Sequence, residues 1–171
     1  MFAPDEMIYY GMQGVCRITE IRKESLHGTV QEYYVLKPLD LTCSSILVPI
    51  QNERLVNRIR PIVTPKEIEQ ILSSLSQEES LWENDETKRK KQFQALLNEG
   101  NPLQLLRIIQ TSYLHRQQLQ VQGRRRLHLC DETVLKRAKH LIAEEFSASL
   151  QLSQEEIFPY IQKTLETAQT T

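Results

Sequence analysis

Glycine is scarce in this chain, with five residues in 171. None stands in a Gly-x-Gly-x-x-Gly fingerprint or before a Lys-Ser or Lys-Thr pair, so the loops that cradle nucleotide phosphates are missing. His-Glu-x-x-His and Gly-x-Ser-x-Gly are absent too. Cys16 has no local partner that would make it a nucleophile, and His27, beside Gly28, reads as a turn residue. His115 and His140 fall on helical stretches, in surface or satisfied roles. The reading is a non-enzyme that needs no cofactor. Cysteine is sparse as well: Cys16, Cys43 and Cys130 are an odd number, with no Cys-x-x-Cys. That pattern predicts reduced, mostly buried thiols rather than a disulfide frame. A zinc site from His128, Cys130 and His140 would match no common ligand spacing, and no metal is expected. No apolar run approaches the roughly 18 to 20 residues that span a bilayer. Met1-Phe2-Ala3-Pro4-Asp5-Glu6 lacks the basic start and apolar core of a signal peptide, which predicts a cytoplasmic protein with no membrane partner.

What is present is an ordinary globular composition, 40% hydrophobic and 25% charged, and a length that fits one domain or two small ones. The formal net charge of −1 hides a segregation. Residues 88–139 hold twelve Lys or Arg against three Asp or Glu, while residues 78–86 hold five acids and no base. Such a basic stretch is either a nucleic-acid surface or a set of charges that pair between neighbouring helices.

The first third is rich in β formers cut by turn residues. Strands are expected over Met7 to Tyr10, Val15 to Ile21, Gln31 to Lys37 and Ser45 to Ile50, with a short fifth near Ile59 to Ile62. Short strands this closely spaced predict a small closed or half-open barrel of the SH3 or Tudor kind. Proline cannot donate to a β ladder, so Pro49 either marks an edge strand or simply ends one. An edge can dock a partner by strand addition.

The remainder alternates helix caps with apolar stripes. Thr64-Pro65-Lys66-Glu67 joins a capping box to a proline at the first helical position, ahead of Ile68, Ile71, Leu72 and Leu75. Residues 76–86 read as a loop. A second helix starts at Asp85 or Glu86, carries Phe93, Leu96 and Leu97, and stops at Gly100. Asn101-Pro102 opens a third, whose face runs through Leu105, Leu106, Ile109 and Tyr113 toward Gly123. Asp131 is a candidate cap for a fourth, bearing Val134, Leu135, Ala138, Leu141, Ile142 and Phe146. Ser153-Gln154-Glu155-Glu156 opens the last, with Pro159 expected to kink it or move its start, and residues 167–171 are expected to fray. The chain is thus α+β: a domain over residues 1–64, then a helical domain over residues 65–171 with four to five helices. Residues 65–75 form its connector helix.

Trp82 is the only tryptophan, and Lys88-Arg89-Lys90-Lys91 follows within two turns of helix. Cations beside a flat aromatic can hold nucleic acid, the charges meeting phosphates and the ring stacking on bases or wedging between them. The same residues also fit a core anchor beside a solvated helix face.

Over nearly its whole length the chain resembles the CarD-like bacterial transcription regulators, most closely the versions from Gram-positive, clostridia-like bacteria. The resemblance is carried by residues 8–18 (IYYGMQGVCRI), 32–37 (EYYVLK), 47–50 (LVPI) and 59–62 (IRPI). It continues through Leu81-Trp82, Lys88 to Lys91, residues 106–114 (LRIIQTSYL), 122–125 (QGRR) and 131–145. It implies a Tudor-like first domain that pairs an edge strand with the RNA polymerase β subunit, a module also found in the transcription-repair coupling factor. That strand would be Ser45, Ile46, Leu47, Val48 and Pro49, with Arg22 and Lys37 alongside; some members carry an arginine where Leu47 stands. The helical domain would then lie on promoter DNA at the upstream edge of the melted bubble. Trp82 would be the wedge, and Lys88, Arg89, Lys90, Lys91, Arg124 and Arg125 the cations. A wedge at a duplex already opening meets a smaller unstacking cost, so the open complex lives longer.

This implies a monomer that contacts DNA weakly by itself and mainly through the polymerase complex. Two other readings stand beside it: a protein-only adaptor that docks through strand addition without touching DNA, and a DNA-binding protein that acts without polymerase.

Overall fold

The computed structural model describes residues 1–40, 42–75, 79–124 and 126–169. The chain divides into two compact units, Met1–Ile62 and Val63–Thr171. The first is β-rich and the second helical, the α+β arrangement the sequence predicts.

In the first unit the strands are β1 (Met7–Tyr10), β2 (Val15–Leu26), β3 (Thr29–Pro38), β4 (Ile46–Pro49) and β5 (Ile59–Pro61). They form one antiparallel sheet in the order β4-β3-β2-β1-β5. Of the closed and half-open forms expected, this pairing is the open one: β4 and β5 are its two edges. A one-turn helix, α1 (Glu53–Val56), lies between β4 and β5, capped by the Asn52 side chain, which accepts from Leu55 N. Ile8, Cys16, Ile18, Tyr34, Leu36, Val48 and Ile59 make the core, none more than 6% exposed. Ile8 faces Cys16 and Ile18 faces Leu36 across the ladders, so cross-strand pairs supply the packing.

β2 runs five residues beyond the expected Ile21. His27 and Gly28, with φ of 53° and 80°, form the two-residue turn between Leu26 and Thr29 that a twisted hairpin favours. The charged run Glu20 to Glu24 shows no apolar alternation because most of this ribbon is exposed on both faces. The register shifts between Ile18 and Glu20, leaving Thr19 as the extra residue; its hydroxyl donates to Val35 O at 3.2 Å.

The second unit contains α2 (Pro65–Leu75), α3 (Glu86–Glu99), α4 (Pro102–Val121), α5 (Leu129–Leu150) and α6 (Gln154–Gln169). α2, expected as a connector, packs on α4, α5 and α6 inside this unit. The Thr64 capping box is formed in both directions: Thr64 N donates to Glu67 Oε2 at 2.7 Å and Glu67 N to Thr64 Oγ1 at 3.3 Å. Asp85 and Asn101 cap α3 and α4 through their side chains, and Gly100 ends α3 in the left-handed conformation, φ 69°. The core joins Ile68 and Leu72 to Phe93, Leu97, Leu105, Ile108, Leu135, Leu141, Ile142, Phe146 and Ile157.

Several expectations change here. Asp131 does not cap α5; the cap position is His128, and Asp131 lies inside the first turn, 3% exposed. α6 starts after Ser153 and continues through Pro159 to Gln169 rather than fraying from 167. Residues 170–171, and 76–78 of the expected loop, lie outside the described residues. Tyr113, placed on the core face, is 39% exposed. The three thiols are free as expected, but only Cys16 is buried; Cys43 is exposed and Cys130 half-buried. Among the described residues no three His, Cys, Asp or Glu side chains are placed to hold a metal ion, and no helix is long and apolar enough to cross a membrane.

Candidate functional site

The first unit offers a sheet edge. β4 pairs with β3 alone, in the register Leu36↔Ile46, Val35↔Leu47, Tyr34↔Val48 and Tyr33↔Pro49. Val48 points into the core at 0% exposure, so its neighbours Leu47 and Pro49 face the other way. Leu47 is 37% exposed, an apolar side chain on an unpaired edge. Ser45 precedes the strand and is exposed. Lys37 is exposed on β3. Arg22, on β2, is committed to neighbours on its own strand, bonding Glu20 and, at 2.9 Å, Glu24. The opposite edge is guarded differently. β5 carries Pro61, and the Arg60 guanidinium lies over the Tyr9 ring at 4.0 Å.

The second unit holds Trp82 in a segment without regular structure, tied down by side chains from the helices. Glu79 O accepts from Arg107 Nη2 at 3.2 Å, Leu81 N donates to Thr111 Oγ1 at 3.1 Å, and Glu83 O accepts from Arg89 Nη1 at 2.8 Å. The indole itself is half-buried. The His115 imidazole from α4 stacks on it, ring centroids 3.6 Å apart and planes 13° from parallel. The Arg89 guanidinium from α3 lies over the same ring at 4.2 Å. Two flat groups this near one centroid would overlap on one face, so they take opposite faces. Phe93, 0% exposed, meets the indole at 71° with centroids 6.4 Å apart. With both faces taken, Phe93 must meet the indole along its edge.

Arg89 is not the surface cation the Lys-Arg-Lys-Lys run implies. Its guanidinium is 3% exposed and donates from Nε and Nη2 to the two oxygens of Asp131, at 2.9 and 2.8 Å. Asp131 is equally buried. The fork-on-carboxylate geometry raises the Arg89 pKa, chiefly through the hydrogen bonds to Asp131. The reason lies in helix period: Arg89, Phe93 and Leu97 recur every four residues on the inward face of α3. Burial lowers the His115 pKa, and the Arg89 charge lowers it further. A neutral imidazole therefore stacks on the indole at neutral pH.

Lys88, Lys90 and Lys91 are exposed on α3 and form no ion pair with another described residue. Arg124 is exposed where α4 ends: its N–H donates to Leu119 O at 2.8 Å, and Gly123 takes φ 79°. Arg125 lies outside the described residues. Two further cations of the basic stretch are paired between helices: Arg116 bonds Glu132 at 3.0 Å, as Arg89 does Asp131. The segregated charge is thus partly internal and partly open. The sequence gives no direct sign that His115 stacks on Trp82 or that Asp131 holds Arg89. The signal for His115 was its spacing from Ile108 and Ser112, both 0% exposed, which sets it near the same face of α4.

Residues 2–63 match the family described as the CarD-like/TRCF RID domain. That match covers the first unit and supports the CarD-like and transcription-repair coupling relationship there. Domains of this family interact with the RNA polymerase β subunit, which supports a transcription-related, polymerase-binding role for this chain. No curated protein matches the chain.

Proposed function

We propose that this chain is a non-enzymatic transcription regulator of the CarD-like type, which docks β4 on the RNA polymerase β subunit and steadies the open promoter complex through its helical unit. One observation carries the reading. In a domain that matches a polymerase-interacting family, the strand that the resemblance assigns to docking lies at a sheet edge with Leu47 outward. An incoming strand would satisfy the backbone groups that β4 turns away from β3, chiefly those of Leu47, since Pro49 has no N–H and its carbonyl accepts from Asn52 N at 3.1 Å; Lys37 would lie nearby.

On the DNA side the reading assigns Trp82 to the edge of the bubble and Lys88, Lys90, Lys91 and Arg124 to phosphates, with Arg125 beside them. Arg89 moves from backbone contact to support of Trp82, because its guanidinium is buried on Asp131. With Arg89 and Arg116 paired internally, the unit would bind duplex weakly by itself and act where the polymerase has brought it. The protein would then work in the cytoplasm as a monomer.

The test is the lifetime of promoter open complexes with the chain present, absent, or carrying Trp82→Ala. The chain lengthens the lifetime and the variant lowers that gain while still binding the β subunit. A variant as effective as the parent contradicts the DNA role.

One observation favours a second reading. Trp82 is enclosed on both faces, as a purely structural aromatic would be. The chain would then be an adaptor that docks through β4 and never touches DNA. It would add no salt-sensitive DNA contact to the polymerase complex.

A further inference from the structure

We propose that Trp82 meets DNA with the free edge of a ring clamped on both faces, and that His115, Arg89 and Asp131 are the positioning residues that hold it so. The proposal rests on the reading of Trp82 as a DNA-contacting residue and specifies how it would work. A base cannot stack on an indole face that is already covered. To slide between bases, the indole would have to leave His115 at 3.6 Å and Arg89 at 4.2 Å. Arg89 cannot readily follow, since its nitrogens are engaged by both Asp131 oxygens and by Glu83 O. The Phe93 side of the ring is turned to the core. What a half-buried indole has left to offer is the perimeter away from Phe93.

This clamp suits a wedge. A ring already fixed in one orientation has little rotamer freedom left to lose when it docks. A rigid edge inserted into a groove resists re-closure of the strands without requiring the ring to enter the base stack. The support is distributed over three helices: Arg89 from α3, His115 from α4 and Asp131 from α5. The segment that carries Trp82 is held at Glu79, Leu81 and Glu83, so the backbone on either side of the ring is fixed as well.

Trp82 is the only tryptophan, so the indole emission of the free chain reports this site alone. The experiment uses the full chain with His115→Ala, His115→Phe and Trp82→Ala, read by acrylamide quenching of the indole and by open-complex lifetime with polymerase. His115→Ala should raise quenching several-fold and cut the lifetime toward that of Trp82→Ala, with helix content and β-subunit binding unchanged. His115→Phe, which restores a flat ring, should recover both. Should the alanine variant lose helix content, His115→Leu fills the space without a flat ring and carries the same expectations. A mobile indole with a parental lifetime overturns the positioning role, as does quenching that does not change. If Trp82→Ala itself keeps the parental lifetime, the DNA reading fails and this inference falls with it. The edge is tested with 5-hydroxytryptophan at position 82, excited apart from the polymerase's own tryptophans. Emission retained in the open complex supports an edge contact, and strong quenching by stacked bases overturns it.

Discussion

The His115 imidazole lies flat on the Trp82 indole, with centroids 3.6 Å apart and planes 13° from parallel. Arg89 closes the other face at 4.2 Å and is itself held by Asp131. A solitary aromatic, an adjacent cation and two residues far along the chain thus form one unit. Its consequences can be measured without reference to any partner.

The first is a pH dependence. Burial, then the charge of Arg89, lowers the His115 pKa below its ordinary 6.5; Asp131 and a hydrogen bond that the imidazole donates to Gln118 act the other way, and His128 adds slightly to the lowering. Below 6.5 the unfolded chain therefore binds a proton that the folded chain resists. The stability that His115 contributes is present above the unfolded pKa and is lost as pH falls through the folded one. Between about pH 8 and about pH 5 the melting temperature of the parent should fall more steeply than that of His115→Gln. Parallel curves would contradict the shielded imidazole.

The Arg89–Asp131 pair should show the asymmetry of buried ion pairs. Both side chains are 3% exposed. Asp131→Asn leaves a buried cation without its counter-charge and should cost about 3–5 kcal/mol in urea denaturation. The double change Arg89→Met with Asp131→Leu removes both charges and should cost much less than the sum of the single changes. Additive losses would show that the two residues do not act as a pair.

Salt dependence separates the exposed lysines from the buried arginine. If Lys88, Lys90 and Lys91 each meet a phosphate, reversing any one should lower the slope of log K against log salt by about 0.9 in polymerase–promoter complexes. Changing Arg89 to Lys should leave that slope in place while loosening Trp82. An unchanged slope for the lysine variants would move the DNA surface elsewhere, to Arg124 and its neighbours among the candidates.

The sequence shows some of these features plainly and conceals others for physical reasons. All five strands are legible as β-rich runs, and Pro49 points to the edge that β4 occupies. The outer half of the β2–β3 hairpin is not, because a ribbon exposed on both faces needs no apolar alternation. Thr64, Asn101 and Ser153 announce their helices because a cap is a local hydrogen bond. Asp131 misleads for the same reason: an acid in a first helical turn can cap, complement the helix dipole, or reach across to another helix. Only the tertiary fold selects the last, and Arg89 is the reason. In Lys88-Arg89-Lys90-Lys91 all four residues look alike by charge. The fourfold spacing to Phe93 and Leu97 sets Arg89 apart, and that spacing is in the sequence. The stacking of His115 on Trp82 joins residues in different elements and has no local signature.

The central claim is that β4 is the docking edge for RNA polymerase, and binding of the full chain to purified β subunit tests it most directly. Leu47→Glu places a charge on an exposed, outward position, where a substitution should change stability by no more than about 0.5 kcal/mol. The account predicts that the parent binds and that this variant, still folded, does not. Equal binding by both would show that the polymerase is met by another surface, and no binding by either would remove the polymerase from the account.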